Sequence, residues 1–470
     1  MNKYMYLLLL VIIAATLAGC STTLAPDYTR PAAPVPTNWP SGPAYQEMKA
    51  ATTNNAENIP WRDFYIDAKL RKIIELALAN NRDLRVAAMT IEKTRAMYRI
   101  QRADLLPTIN AVGYGTKQEI FANVASFEEK MKVEYYSVNM GFSSYELDLF
   151  GRIRSLKERA LQQYLATAQA HRSLQISLIA EIAGVYLNLA ADHERLRLSQ
   201  NTLDSQETSY DLIQRRYETG EISELDLRQA QTSVEAARTD AAKYLGQVAV
   251  DENTLNLLSG AQVPRELLPG ELGEITALKD ISTGLPSEIL LRRPDILQAE
   301  NQLQAANANI GAARAAFFPS ITLTGNYGTM DDQLGGLFKS GSGVWQFTPQ
   351  ITVPIFDTGR NWAGLDSAKA DREIYLARYE KTIQTAFREV ADALAQRGTL
   401  QDQLKAQESL VDATAAAYSL AGARYDNGID SYLAVLDSQR SLYTAQQGLI
   451  AVRLAGLANL VTLYKALGGG

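Results

Sequence analysis

The chain has 470 residues and one cysteine, Cys20, so no disulfide can form within it. Its two histidines, His171 and His193, are too few for most histidine-based chemistry. It carries no Gly-rich phosphate loop, no Cys/His metal cluster and no Gly-x-Ser-x-Gly elbow. Its carboxylates are scattered along helical patterns, as on a solvated surface. No catalytic, cofactor or metal site is therefore expected. The formal net charge of −6 argues against a basic nucleic-acid surface. Beyond the N-terminus no segment holds eighteen unbroken apolar residues, which argues against a helical membrane span. From Arg152 to Tyr217 there is no proline and one glycine, Gly184, so nothing interrupts a helix of roughly 100 Å.

Cys20 has a setting of its own. Lys3 begins a positive n-region, Tyr6 to Ala15 form an apolar h-region, and Leu17-Ala18-Gly19 leads into the cysteine. Residues 1–19 read as a lipoprotein signal peptide, with Cys20 carrying acyl chains after cleavage. An ordinary signal peptide ending near a chance cysteine is the alternative. Pro26, Pro31, Pro34, Pro36, Pro40 and Pro43 crowd the next stretch. Residues 20–60 thus read as an extended strap from the anchor to the body.

The remainder is written twice. Arg216-Tyr217-Glu218-Thr219-Gly220, with Ser223, Leu225 and Gln231, returns 208 positions on as Arg424-Tyr425-Asp426-Asn427-Gly428, with Ser431, Leu433 and Gln439. Asp83, Pro107, Ile109 and Gly113 return at offset 212 as Asp295, Pro319, Ile321 and Gly325. About four extra residues thus lie between Pro107 and Gly151 in the first copy. The copies are placed at 61–265 and 285–470, joined by a linker at 266–284.

Each copy opens with a helix, from near Asp67 to about Leu105 and from Pro294 to Phe317, stopped by Pro107 and Pro319. Strand alternation follows. Tyr136, Val138, Met140 and Phe142 alternate with polar or small residues, as do Trp345, Phe347, Pro349, Ile351, Val353 and Ile355. Hairpins are expected at about 108–149 and 320–356, each run of about ten residues matching a tilted membrane strand. Tyr135, Tyr136, Trp345 and Phe347 are candidates for an interfacial girdle or for plain packing. Long helix pairs are expected at about 152–258 and 360–467, turning at Gly220 and Gly428. Ile182, Leu189, Leu196, Leu203, Tyr210 and Tyr217 recur every seventh residue, a seam for a neighbouring helix.

Four strands cannot close a membrane barrel, and an open edge in lipid costs several kcal/mol per unpaired backbone group. Embedded hairpins therefore require several chains. The class expected is an α+β membrane protein with a sheet in the bilayer and a helical tube continuing it.

The chain resembles the TolC-like outer-membrane efflux factors, in their OprM-type lipoprotein branch. The resemblance rests on Asn81-Arg82-Asp83-Leu84-Arg85, Tyr145-Glu146-Leu147-Asp148-Leu149-Phe150-Gly151-Arg152, Arg292-Arg293-Pro294-Asp295-Ile296, the run from Ala308 to Ser320, and the C-terminal Leu463-Tyr464-Lys465-Ala466-Leu467-Gly468-Gly469-Gly470. It implies a homotrimer with a shared twelve-stranded barrel, a periplasmic α-helical barrel and a mixed equatorial belt. It also implies a periplasmic adaptor (membrane fusion) protein and an inner-membrane pump, usually of the resistance-nodulation-division class, as partners. Ser21 after Cys20 favours the outer membrane by the same likeness.

The likeness also gives roles. Asp437 and Arg440 match the acid and arginine of the periplasmic constriction, and Leu433 an apolar ring there. Tyr425 is a candidate to bond Asp226 of the neighbouring helix pair. Where TolC has an arginine between the tyrosine and the acids, this chain has Asp430. Solvated helix charges are the alternative reading. Thr219, Gly220, Ser223, Asn427, Gly428 and Ser431 would form the tip that meets the adaptor, or simply cap helices. The function implied is an exit duct for small toxic solutes. A duct for type I protein secretion and a coiled-coil envelope tether remain alternatives.

Overall fold

The computed structural model describes residues 23–45, 59–120, 131–275, 278 and 287–469. The leader, Cys20, Ser21, most of the first hairpin tip and much of the linker lie outside the described residues.

The elements are α1 (Trp61–Phe64), α2 (Ala68–Asn80), α3 (Arg82–Ala103), β1 (Asn110–Ile120), β2 (Met131–Leu147), α4 (Arg152–Glu218) and α5 (Glu224–Ser259). Then come α6 (Pro294–Ala315), β3 (Ser320–Asp331), β4 (Gly343–Thr352), α7 (Arg360–Asp426) and α8 (Tyr432–Ala466), with short 3-10 turns between α5 and α6 and between β3 and β4. Helices α4 and α7 are each 67 residues long. The order helix, hairpin, long helix, returning helix therefore occurs twice.

The helix expected from Asp67 to Leu105 is two helices. Asn81 takes an extended backbone, accepts from the Leu84 amide at 3.0 Å and donates to the Leu258 carbonyl at 2.8 Å. An asparagine that satisfies a free helix-start amide offers the backbone an alternative to continuing α2. Nearby Gly260 runs so close to Asn80 that an added Cβ would sit 2.4 Å from its carbonyl oxygen.

The contacts divide the chain into two units. One takes in Thr90–Ala168, Gln298–Tyr379 and the described part of Met1–Ala32. It holds an antiparallel sheet of order β1-β2-β3-β4, so β1 and β4 are its edges. Directly paired residues share a face. One face collects Met140, Tyr327 and Trp345, then Phe142, Gly325 and Phe347, then Leu323 and Pro349, then Ile321 and Ile351. The other collects Asn326 with Gln346, Thr324 with Thr348 and Thr322 with Gln350. The Phe142 and Phe347 rings both close over Gly325, where a Cβ would meet them at 3.0 and 3.5 Å. Trp345 (77% exposed) and Phe347 (55%) lie open on this apolar face.

Strand β1 departs from the two-faced pattern, and two sequence expectations shift. Val112 and Tyr114 of β1 lie opposite Asn139 and Ser137, on the polar face. Strand β2 has 17 residues rather than about ten, and its register slips by one between Phe142 and Tyr145, a bulge where Ser144 has φ 55°. Strand β4 stops at Thr352 although alternation continues to Ile355, because Thr352 pairs with Ser320, the first residue of β3, and the ladder has no partner beyond it.

The described start of the strap, residues 23–32, is packed in this unit. Glu300, 6% exposed, accepts from Arg30 through Nε at 2.8 Å and Nη2 at 2.5 Å and from the Tyr28 hydroxyl at 3.2 Å. Asn307 donates to the Pro26 carbonyl at 2.7 Å and Arg314 to the Leu24 carbonyl at 3.0 Å. Thr23 lies against Gly151 (φ +73°), where a Cβ would approach its Cα to 2.9 Å.

The second unit comprises the described residues of Ala33–Met89, Gln169–Leu297 and Glu380–Gly470. Its core includes Phe64 stacked on Tyr464 at 4.0 Å between ring centroids, and the Tyr464 hydroxyl donates to the Ile59 carbonyl at 2.5 Å. Buried Arg293 binds Asp295, Glu389 and the Ala466 carbonyl. Two helices, α4 and α8, are long and apolar enough by composition to span a membrane. In α4 the apolar residues Leu178, Ile179, Ile182, Tyr186, Leu187 and Leu189 are buried in the core. Further along α4 the most buried row is Asp192, Ser199, Gln206 and Ile213, three residues on from the expected Leu196, Leu203 and Tyr210, which are half-covered. Within one chain α4 thus spends its tightest seam on its own neighbours.

Candidate functional site

Helices α4 and α7 end alike. Gly220 (φ +77°) donates to the Tyr217 carbonyl and Glu221 to that of Arg216, both at 2.9 Å. Gly428 (φ +70°) donates to Tyr425 and Ile429 to Arg424, also at 2.9 Å. These are paired Schellman closures, and the left-handed φ explains why both positions are glycine. A Cβ added at either glycine would meet nothing within 4 Å, so the backbone alone sets the requirement.

The returning helices start differently. The Ser223 hydroxyl accepts from the Asp226 amide at 3.3 Å and the Asp226 carboxylate accepts from the Ser223 amide at 3.2 Å, a capping box. At the second turn Ser431 makes no side-chain cap bond, and Ala434 stands where the acid would be. Behind the turns Ile213, Leu227, Ala230, Ala421, Tyr432, Val435 and Leu436 form one buried cluster, flanked by Tyr210, Ile222, Tyr418 and Tyr425. The cluster fixes the two turns side by side.

The Tyr425–Asp226 bond is not formed in this chain. The Asp226 carboxylate is occupied by Ser223, and the Tyr425 hydroxyl instead accepts from Arg216 Nη1 at 2.5 Å, with the guanidinium 5.5 Å from its ring centroid. Arg216 also pairs with Glu221 at 3.2 Å. Asp430 takes a bidentate bond from Arg424, at 2.6 Å from Nε and 3.1 Å from Nη2. That guanidinium holds the Asp430 carboxyl below the usual carboxylate range. The tip is therefore closed by two arginines at repeat-equivalent positions, one joining the repeats and one clasping its own turn. Sequence reasoning missed both as partners, although Arg216 and Arg424 open the very motif that revealed the duplication.

Asp437 and Arg440 form an ion pair one turn apart on α8. With Leu433 they occupy one exposed stripe, while Tyr432, Val435, Leu436 and Gln439 face the core. Thr219, Gly220, Ser223, Asn427, Gly428 and Ser431 are all exposed at the turns. The structure brings Tyr425 beside the first turn through Arg216. The ion pair of Asp437 with Arg440 lies apart from that contact, further along α8.

Paired 67-residue helices joined to antiparallel hairpins with an apolar face define a helix-rich protein of the outer-membrane channel class. The sequence profile of the family described as outer membrane efflux protein matches residues 73–261 and again 285–469. The probable efflux pump outer membrane protein TtgC of Pseudomonas putida is 50% identical over 465 residues, covering 99% of this chain and 95% of that protein. The outer membrane protein OprJ of Pseudomonas aeruginosa is 45% identical over 461 residues, covering 98% and 95%. Among solved structures, the open-state MtrE outer membrane channel of Neisseria gonorrhoeae is similar with a TM-score of 0.85 and 38% identity, over 96% of this chain and 98% of that one. The chain belongs to the outer membrane efflux protein family. It is an efflux protein of the outer membrane.

Proposed function

We propose that three copies of this chain close their four-stranded sheets into one twelve-stranded barrel, continued by a tunnel of the paired long helices. The observation that carries this reading is the sheet itself. It has an apolar face, a polar face and two unpaired edges, and each unpaired edge group in lipid costs several kcal/mol. Joining β1 of one copy to β4 of the next removes every edge at once. Cys20 is the acylated anchor that holds the mature chain at the membrane. The duct takes its cargo from a periplasmic adaptor and an inner-membrane pump of the resistance-nodulation-division class. The relatives' names, which include a toluene efflux pump component and an antibiotic efflux pump component, point to small apolar solutes and drugs. In this reading Thr219, Gly220, Ser223, Asn427, Gly428 and Ser431 are the adaptor-facing tip. No cofactor or chemical step is involved.

The exposed stripe Leu433, Asp437, Arg440 lines the periplasmic constriction, with Arg440 offsetting the like charges of an Asp437 ring. Tyr425 acts in the closed state through Arg216, and Asp226 by capping α5. Planar-bilayer recording tests the gate: the purified protein opens rarely, and Asp437→Ala combined with Arg440→Ala raises conductance. Unchanged conductance in the double variant removes the assignment. Deleting the gene and scoring sensitivity to drugs, solvents and bile salts tests the cargo.

A further inference from the structure

Asp192 on α4 and Asp251 on α5 are both buried, at 5% and 8% exposure, and face each other within hydrogen-bonding reach. Arg195 Nη1 donates to Asp192 Oδ1 at 2.7 Å, and Gln247 Nε2 donates to Asp251 Oδ1 at 3.1 Å. Asp251 Oδ2 is fully enclosed and meets no donor or acceptor hydrogen bond as a carboxylate. Two ionised carboxylates side by side in a buried seam, with one guanidinium bonded to only one of them, are strongly disfavoured. A single proton resolves the contradiction: as an acid, Asp251 Oδ2–H donates to Asp192, and the pair keeps one negative charge for Arg195.

We infer that Asp192 and Asp251 share one proton and form a proton-sensitive clasp between α4 and α5. The surrounding charges leave this to the pair. On α4 the next acid, Glu194, is directed to Arg453 of α8 at 3.9 Å. On α2, which packs against α5, Lys69 bonds the Leu268 carbonyl at 3.1 Å, Glu75 pairs with Arg62 at 3.2 Å, Lys72 is exposed and Arg71 half-buried. Burial first, and then the adjoining Asp192 carboxyl, push Asp251 above the usual carboxylate range, against the pull of Gln247 and Arg195. A group with a raised folded-state pKa contributes stability that is complete at low pH and lost as pH rises through the raised value. The clasp therefore loosens on the alkaline side, where loss of the proton places two like charges in contact.

The test uses the full-length detergent-solubilised protein and infrared difference spectra over a pH series running from mild acid to alkaline. Wild type minus Asp251→Asn, and wild type minus Asp192→Asn, each show a protonated carboxylic-acid carbonyl band that titrates away on raising the pH. In the first variant the amide replaces the acid as donor. In the second, the like charge of Asp192 is gone and only burial still raises Asp251, so it loses its proton at a lower pH than in wild type. In hydrogen exchange, opening of α4 from α5 in wild type then rises over the intrinsic rate by up to about tenfold per pH unit, and Asp251→Asn abolishes that rise. Absence of the carbonyl band overturns the proposal, as does the same pH dependence of exchange in wild type and Asp251→Asn. Neither readout depends on trimer closure or on the gate.

Discussion

Glu300 is the side chain on which the N-terminal segment turns. It is buried, and Arg30 and Tyr28 supply the donors that make its burial tolerable. Arg30 itself is 45% exposed, so the pair is worth less than a fully enclosed one. Arg30→Met is expected to lower stability by about 2 kcal/mol, chiefly by stranding the Glu300 carboxylate. Adding Glu300→Leu recovers part of the loss, because the stranded charge is gone; thermal melting of both variants checks this. None of this was legible in the sequence. Six prolines announce an extended chain, but a contact across 270 residues leaves no local signature. The same holds for Tyr425, whose partner Arg216 is 209 positions away. The resemblance named Asp226 instead, and the local capping box with Ser223 claimed that residue.

Individual elements were far more readable, for a physical reason. Helix and strand periods, glycine at left-handed ends and proline after helices are local rules, so the 67-residue helices, their turns and both hairpins appear in the sequence. The exceptions are local competitors to those rules, the Asn81 cap that splits the first helix and the slip beside Ser144. At the α7–α8 turn the Arg424–Asp430 clasp makes a prediction of definite sign. Asp430 is held below the usual carboxylate range, so the clasp is intact above that range and is lost as pH falls through the lowered value. Hydrogen exchange of the amides at 427–431 should therefore accelerate in acid, and Asp430→Asn should show the accelerated rate already at neutral pH. At the other turn, Asp226→Ala removes half of the capping box and should destabilise the start of α5 by about 1 kcal/mol, seen as faster exchange over its first turn.

For the whole molecule the family was evident from residues alone, while the way copies meet is a matter of surfaces that a single sequence does not display. The single native cysteine makes this directly testable. Cysteine pairs, one placed within 110–116 on β1 and one within 344–352 on β4, are expected to give disulfide-linked trimers under oxidation. Monomers at every pairing would refute the closed barrel. The seat of Thr23 on Gly151 carries one more implication. Three chain steps lead from it to Cys20, and a fully stretched chain spans at most about 3.6 Å per residue. Any acyl group on Cys20 must therefore enter the bilayer within about 11 Å of the point where β2 hands over to α4. Under the proposed acylation, such a short leash is a depth gauge that ties the water–lipid boundary to that rim of the strands.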